Sequence, residues 1–322
     1  MGKARVTDQE FIELWRQHQS LKALSEVLGM DVAKVGQRRR NIERRYTIAL
    51  DAKSQNKRYE HLNAAQRNPQ SLNLDMLNGT IIVFSDAHFQ PGVHTTAYRG
   101  LLKLIEQLKP KAVICNGDAF DGAQMSRHPA IGWEETPTVL QELMACEIAL
   151  GEIEETAKKA NRNVKLIWTI GNHDSRFESR IANAMPELRG VKGARLTDHF
   201  PKWEFTWSCW ATKDLVIKHR WKGGIHATHN NTVNSGVSMV TGHLHSLKAT
   251  PWSDYNGTRW GVDCGTLAEP YSKQFDYCEG NPVNWRSGFI VLTLKDGQLL
   301  TPELVRKHDD EHIDFRGQLI KV

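Results

Sequence analysis

The sequence of 322 residues predicts an α/β body preceded by a small all-α module. Three observations carry that reading. From residue 77 onward, short β-branched runs alternate with helical stretches, the pattern of layered α/β folds. Each run stops at a cluster of Asp, His or Asn. Residues 1–50 instead hold three short segments with helix caps and no strand pattern. Composition agrees, since 40% hydrophobic and 25% charged residues are enough for a core and argue against a mainly disordered chain.

In the N-terminal segment, Thr7-Asp8-Gln9-Glu10 is a capping box, so a helix starts there with Phe11, Leu14, Trp15 and His18 on its apolar face. Ser20 caps a second helix, with Leu21, Leu24, Val27 and Leu28 inward and Gly29 suited to the left-handed position that ends it. Asp31 caps a third. Its inward residues are Val32, Val35, Ile42 and Tyr46, and Lys34, Arg38, Arg39, Arg40, Arg44 and Arg45 point outward. Two short helices joined by a Gly-containing turn, the second strongly basic, resemble a helix-turn-helix whose second helix lies in a DNA major groove. Residues 1–60 contain 13 Lys and Arg against 8 Asp and Glu and so carry the whole formal charge of +5. A polyanion partner, DNA first, is expected at that end. A protein-docking bundle with a solvated basic face is the alternative.

Residues 51–76 are polar and include Asn68-Pro69, which reads as a linker to a second domain over 77–322. The apolar runs Thr80–Phe84 and Lys111–Cys115 fall far short of the roughly 20 residues of a membrane-spanning helix. The first residues carry no apolar stretch of the signal-peptide kind. Five cysteines, scattered and without a CxxC pair, fit reduced thiols. A cytoplasmic protein without membrane contact is expected.

In the second domain, strands are predicted over Thr80–Ser85, Lys111–Asn116, Val164–Ile170, Leu215–Lys218 and Val237–Thr241, with helices over Ala97–Leu108 and Val139–Lys159. The strands end at Asp86-Ala87-His88, Gly117-Asp118-Ala119-Phe120-Asp121, Gly171-Asn172-His173-Asp174, His219 and Gly242-His243-Leu244-His245. In layered α/β folds, ligands collect at strand ends. Carboxylate, amide and imidazole donors suit borderline divalent ions such as Mn²⁺, Fe²⁺, Zn²⁺ or Ni²⁺ better than Ca²⁺. Side chains two apart point the same way on extended backbone, so Asp86 with His88, and His243 with His245, can each reach one locality if the backbone there is extended or turning. Seven donors exceed the needs of one ion. Two ions about 3.5–4 Å apart, bridged by a carboxylate, use them all.

These elements, in this order, resemble the calcineurin-like metallophosphoesterase superfamily, whose series is DxH, GDxxD, GNHD, an isolated His, then GHxH. The resemblance covers roughly residues 77–300 and implies a two-sheet sandwich flanked by helices, with a pair of divalent metals, Mn²⁺ first, at the strand ends. It places Asp86, His88, Asp118 and His245 on one metal and Asp118, Asn172, His219 and His243 on the other, with Asp118 bridging. It also puts His173 beside the leaving-group oxygen as acid or donor, with Asp174 orienting it. One departure stands out: the isolated His is usually followed by Gly, whereas Arg220 follows His219, so His226 and His229 are rival ligands.

Asp121 and Arg176 are candidates for the surroundings of the metals or for substrate contact, and His128 lies in an insert expected to overhang them. The segment Trp203–Trp210 reads as a strand with one apolar face, and the Asp296-Gly297 pair as the turn of a hairpin that closes the sheet. Three functions follow: a metal-dependent nuclease acting on DNA, a phosphomonoesterase localised by its N-terminal module, or a non-catalytic DNA-binding regulator. The complete donor set argues against the last. The combination with a helix-turn-helix resembles arrangements encoded by bacteriophages.

Overall fold

The computed structural model describes residues 6–46, 50, 69–127 and 136–322. The chain forms two compact units, residues 1–66 and 67–322. In the first, α1 (Asp8–His18), α2 (Leu21–Leu28) and α3 (Val32–Tyr46) start at the expected caps. Thr7 Oγ1 accepts from the Glu10 amide at 3.3 Å while Glu10 Oε2 accepts from the Thr7 amide at 2.7 Å. Phe11, Trp15, Leu24, Val35, Ile42 and Leu50 make a small core.

That core is narrow, which corrects the predicted faces. Val27, Val32 and Tyr46 are exposed, because six buried side chains cover only the middle of the helices. Two of the six basic residues expected outward turn back onto the core edge. The Arg39 guanidinium sits 4.7 Å from the Trp15 ring centre and pairs with Glu43 at 3.0 Å. Arg38 sits 5.0 Å from the Phe11 ring centre and reaches Asp8 at 3.4 Å. Arg45 is exposed and paired with Asp8 at 2.7 Å. Lys34, Arg40 and Arg44 are exposed and form no ion pair among the described residues.

The second unit is built on two mixed sheets. The larger runs in the order β15-β14-β13-β11-β2-β3-β4-β5. These strands are β2 (Gly79–Phe84), β3 (Ala112–Cys115), β4 (Lys165–Thr169), β5 (Glu204–Thr206), β11 (Gly288–Lys295), β13 (Glu303–Lys307), β14 (His312–Phe315) and β15 (Gln318–Lys321), with β12 (Gln298–Leu299) hairpinned to β11. The smaller runs β1-β6-β7-β8-β10-β9. Its strands are β1 (Leu72–Asn73), β6 (Cys209–Thr212), β7 (Leu215–Ile217), β8 (Ser238–Thr241), β9 (Lys248–Asp254) and β10 (Gly257–Asp263).

Alternation along β2 shows how the layers stack. Ile81 and Val83 enter a core shared with Ile217, Val240 and Val262 of the smaller sheet. Ile82 and Phe84 enter a second core with α4 (Thr96–Leu108) and α5 (Val139–Ala160). Strands buried on both faces read as continuous apolar runs, which is why they were legible. On the smaller sheet, α7 (Ala227–Ser235) packs against β8, β9 and β10, and α6 (Asp174–Ala184) follows β4.

Three expectations change here. The predicted linker 51–76 loses its last part to the fold, because β1 pairs with β6 and Leu72, Leu74 and Met76 pack on the core between the sheets; residues 51–68 lie outside the described residues. Trp203–Trp210 is not one strand: β5 joins the larger sheet and β6 the smaller, with the chain crossing at half-exposed Trp207. Its aromatic face serves packing, with Phe205 stacked 4.8 Å from Trp168. The Asp296-Gly297 hairpin forms, but β11 lies between β2 and β13 and so does not close the sheet.

Candidate metal centre

The parallel strands β2, β3 and β4 of one sheet and β7 and β8 of the other end on the same side, and the polar clusters sit just beyond those ends. Past the strands the backbone is not extended. Asp86, His88, Asp118, His243 and His245 all have φ between 42° and 71°. Left-handed backbone in non-glycine residues costs roughly 1–3 kcal/mol each and clusters at functional sites. It is held by main-chain bonds between the two loops, where the Asp86 and His88 amides donate to Gly117 O and Asp118 O at 2.9 and 3.0 Å. Paired residues in DxH and HxH therefore converge through a left-handed turn, the turning rather than the extended one of the two backbones expected from sequence.

Two glycines permit the close approach. A Cβ on Gly171 would lie 2.0 Å from Asp118 Oδ1, and one on Gly242 would lie 1.9 Å from Ser85 Oγ and 2.7 Å from Asp86 Oδ2.

Ligand atoms of Asp86, His88 and His245 lie within 4.8 Å of one another, as do those of Asp118, His219 and His243. His219 shows most clearly what the site accepts. Its Nδ1–H donates to Asn116 O at 2.8 Å, while Nε2 faces Asp118 Oδ2 at 3.0 Å and Asn172 Oδ1 at 3.2 Å. Three electron-rich atoms then meet at one point, which a shared proton or a cation must occupy. Burial disfavours charge on His219, yet Asp118 and Asp86 push its pKa up to about 10. Burial and the charge of His219 take His243 down to about 4, leaving a neutral lone pair. Burial resists ionisation of Asp86, but His245 and His219 draw it down to about 2. Asp118 is likewise buried and held far below the usual carboxylate range, chiefly by His219. No Lys or Arg pairs with Asp86 or Asp118 among the described residues. Buried anionic oxygens facing imidazole lone pairs fit divalent cations.

Asp121 orders the neighbouring imidazoles. Its Oδ1 accepts from His88 Nδ1 at 3.1 Å and from His173 Nδ1 at 2.7 Å, so each ring keeps Nε2 as the lone-pair atom. Arg176 Nη2 donates to His173 Nε2 at 3.1 Å, and its Nη1 donates to Asp121 O at 3.0 Å. Burial opposes charge on His173, but Asp121 and Asp118 outweigh it and raise its pKa.

The expected role of Asp174 is corrected. Its carboxylate accepts from the amides of Asp118, Gly171 and Phe120 and from Trp168 Nε1, at 2.8, 2.8, 3.2 and 2.9 Å, and has no bond to the His173 ring. At the start of α6 it faces the strand-end amides, so it pins the loop carrying Asp118, and Asp121 takes the orienting part. Of the rival histidines, only His219 joins the donors. His226 is exposed at the start of α7, and His229 packs 5.1 Å from Trp252. His128 lies outside the described residues.

The sequence model of the calcineurin-like phosphoesterase family matches residues 79–258, more than half of the chain. The chain belongs to the calcineurin-like phosphoesterase family. Its fold of two mixed sheets and helices agrees with that membership, and members of this family hold a pair of divalent metals. Similar curated proteins include the Gene 54 protein of Mycobacterium phage L5, 34% identical over 101 residues, and that of Mycobacterium phage D29, 33% identical over 102. Each match spans 28% of this chain and 38% of the relative's length. Among solved structures, Vps29 from Entamoeba histolytica aligns over 76% of this chain and 99% of its own at 14% identity and a TM-score of 0.39. An archaeal phosphodiesterase aligns over 70% and 99% at 14% identity and a TM-score of 0.35. No helix among the described residues is long and apolar enough to cross a membrane.

A signal missed in the sequence is the insert between β10 and β11, where Tyr271, Phe275, Tyr277 and Trp285 fall within 15 residues. Phe275 lies 5.6 Å from the His88 ring and Trp285 4.5 Å from the His245 ring. Aromatic density in an otherwise polar loop could have flagged it.

Proposed function

We propose that this metal-dependent phosphoester hydrolase is a phosphodiesterase acting on DNA. Asp86, His88, Asp118 and His245 would hold one cation, and Asp118, Asn172, His219 and His243 the other. Bound there, the two cations supply charge neutralisation at phosphorus and an activated water at neutral pH. The observation that supports the reading is His219 Nε2 directed at both Asp118 Oδ2 and Asn172 Oδ1, three donor atoms converging where a cation would replace the proton they share.

The chain's own residues do the rest. Asp121 holds His173 with Nδ1 protonated and raises its affinity for a second proton, which Nε2 delivers to the leaving oxygen. Arg176, now donating to that Nε2, turns to a phosphate oxygen when substrate arrives. Asp174 keeps the Asp118 loop in place through its amide bonds.

DNA as substrate rests on Lys34, Arg40 and Arg44 of the helix-turn-helix-like unit, exposed and without an ion pair among the described residues, while Arg38, Arg39 and Arg45 pair with carboxylates of the same unit. The test is a substrate panel with Mn²⁺. A bis-aryl phosphate hydrolysed in preference to the mono-aryl ester, together with plasmid nicking, supports the reading. Preference for the monoester with intact plasmid contradicts it. Replacing Arg40 and Arg44 by Ala should weaken DNA binding and lower its salt slope by about 1 per residue.

A further inference from the structure

We propose that the aromatic insert of residues 271–285 is a base-stacking wall, so that the substrate presents an unpaired nucleobase beside the cleaved phosphate. This rests on the reading of the site as a nucleic-acid phosphodiesterase and narrows its substrate class to single-stranded or locally opened strands.

The wall is built in two layers. Phe275 is buried and stands edge-on to the His88 ring at 5.6 Å, with Trp285 5.1 Å behind it and 4.5 Å from the His245 ring. These contacts fix the wall to the imidazoles of one donor cluster. Tyr277 packs 6.1 Å from Phe275 and 6.5 Å from Trp285, yet remains 51% exposed. Its ring is therefore supported on one side and open on the other.

A supported aromatic ring, joined through Phe275 to the His88 imidazole, is the kind of arrangement that stacks bases without reading their sequence. Beyond Phe275 the same insert forms a half-open groove of about 290 Å³, lined also by Tyr271, Ser272, Asp276 and Asn281 but not by Tyr277 or Trp285. Aromatic faces bordered by amide, hydroxyl and carboxylate groups match a nucleobase, which is flat with a polar edge. A base paired inside a duplex hides both faces and most of that edge, so it cannot engage the wall without leaving the stack.

The experiment compares a short single-stranded oligonucleotide with one of the same length whose residues flanking the cleaved linkage are abasic. Wild type, Tyr277→Ala and Tyr277→Phe are each measured as the full chain with Mn²⁺, and with the metal omitted for binding by fluorescence anisotropy. In wild type the base-bearing strand should exceed the abasic one by about 5- to 150-fold in kcat/KM and in affinity. That ratio should fall towards 1 in Tyr277→Ala and persist in Tyr277→Phe. An equal ratio in all three proteins overturns the wall while leaving the phosphodiesterase reading intact. Absence of diester hydrolysis with the binding ratio still lost in Tyr277→Ala overturns the phosphodiesterase reading and keeps the wall. A ratio near 1 in wild type in both measurements overturns the wall outright.

Discussion

Replacing Asp121 by Asn tests the division of labour around the imidazoles. One carboxylate oxygen accepts from His88 Nδ1 at 3.1 Å and from His173 Nδ1 at 2.7 Å. Each is a bond to a charged acceptor, of the kind that contributes about 1.5–3 kcal/mol. A neutral amide oxygen weakens both, and its NH₂ group can meet only a lone pair. Loss through His173 should lower kcat by about 10- to 150-fold at saturating metal. Loss through His88 should weaken metal affinity by about 10- to 100-fold, the usual effect of removing a carboxylate that orients a ligating histidine. The direction with pH also follows. Burial favours neutral His173, and Asp121 is the largest influence opposing it, so without Asp121 the His173 pKa falls. Activity that needs the protonated ring is then lost at lower pH, and the alkaline limb of the pH–rate profile moves towards acid. The assay is hydrolysis of an aryl phosphodiester across pH 6–9 with Mn²⁺ titrated at each point. Unchanged kcat and an unmoved alkaline limb in Asp121→Asn, or a limb that moves in Asp174→Asn instead, would refute the assignment.

Two further predictions follow from named contacts. Gly171→Ala would put a methyl group 2.0 Å from Asp118 Oδ1 and 2.6 Å from the Asp118 amide, so the carboxylate must move. Overpacking of this kind costs about 1–3 kcal/mol, and because the displaced group is the proposed bridge, activity should fall at least about 100-fold while urea denaturation shows a folded protein; near-normal turnover contradicts the close approach. Glu142 is buried on α5, where it accepts from the Gly122 and Ala123 amides at 2.9 and 3.2 Å. Burial and the charge of Asp121 raise its pKa from 4.5 to about 7. A folded-state pKa above the unfolded one means that its stabilising contribution is complete below the unfolded value and is lost as pH rises through about 7. The stability of wild type minus that of Glu142→Gln should therefore decline by about 3 kcal/mol between pH 4 and pH 8. A difference that stays level with pH counts against it.

What the sequence showed and what it hid divide along physical lines. Strands β2, β3 and β4 were legible because both of their faces are buried, and residue types at their ends carried the chemistry. The C-terminal strands β13, β14 and β15 were not, because β13 buries only Val305, β14 only Ile313 and Phe315, and β15 no side chain fully, too few to stand out as a run. Left-handed backbone at Asp86, His88, Asp118, His243 and His245 has no marker in residue identity, since it is imposed by bonds from a neighbouring loop. The partner of His173 was misplaced for a related reason. Asp174 is adjacent in sequence, but the helix it starts turns its carboxylate towards strand-end amides, and Asp121 arrives from 52 residues away. On α3, charge alone could not separate Arg38 and Arg39, which lie over Phe11 and Trp15, from Arg40 and Arg44, which face solvent.

The central claim is that Asp118 holds two cations between the donor clusters. Anomalous diffraction from Mn²⁺-soaked crystals tests it most directly. Two peaks about 3.5–4 Å apart are predicted, one beside His88 and His245, the other beside His219 and His243, with the Asp118 carboxylate touching both. A single peak, or a pair that leaves Asp118 uncoordinated, contradicts it.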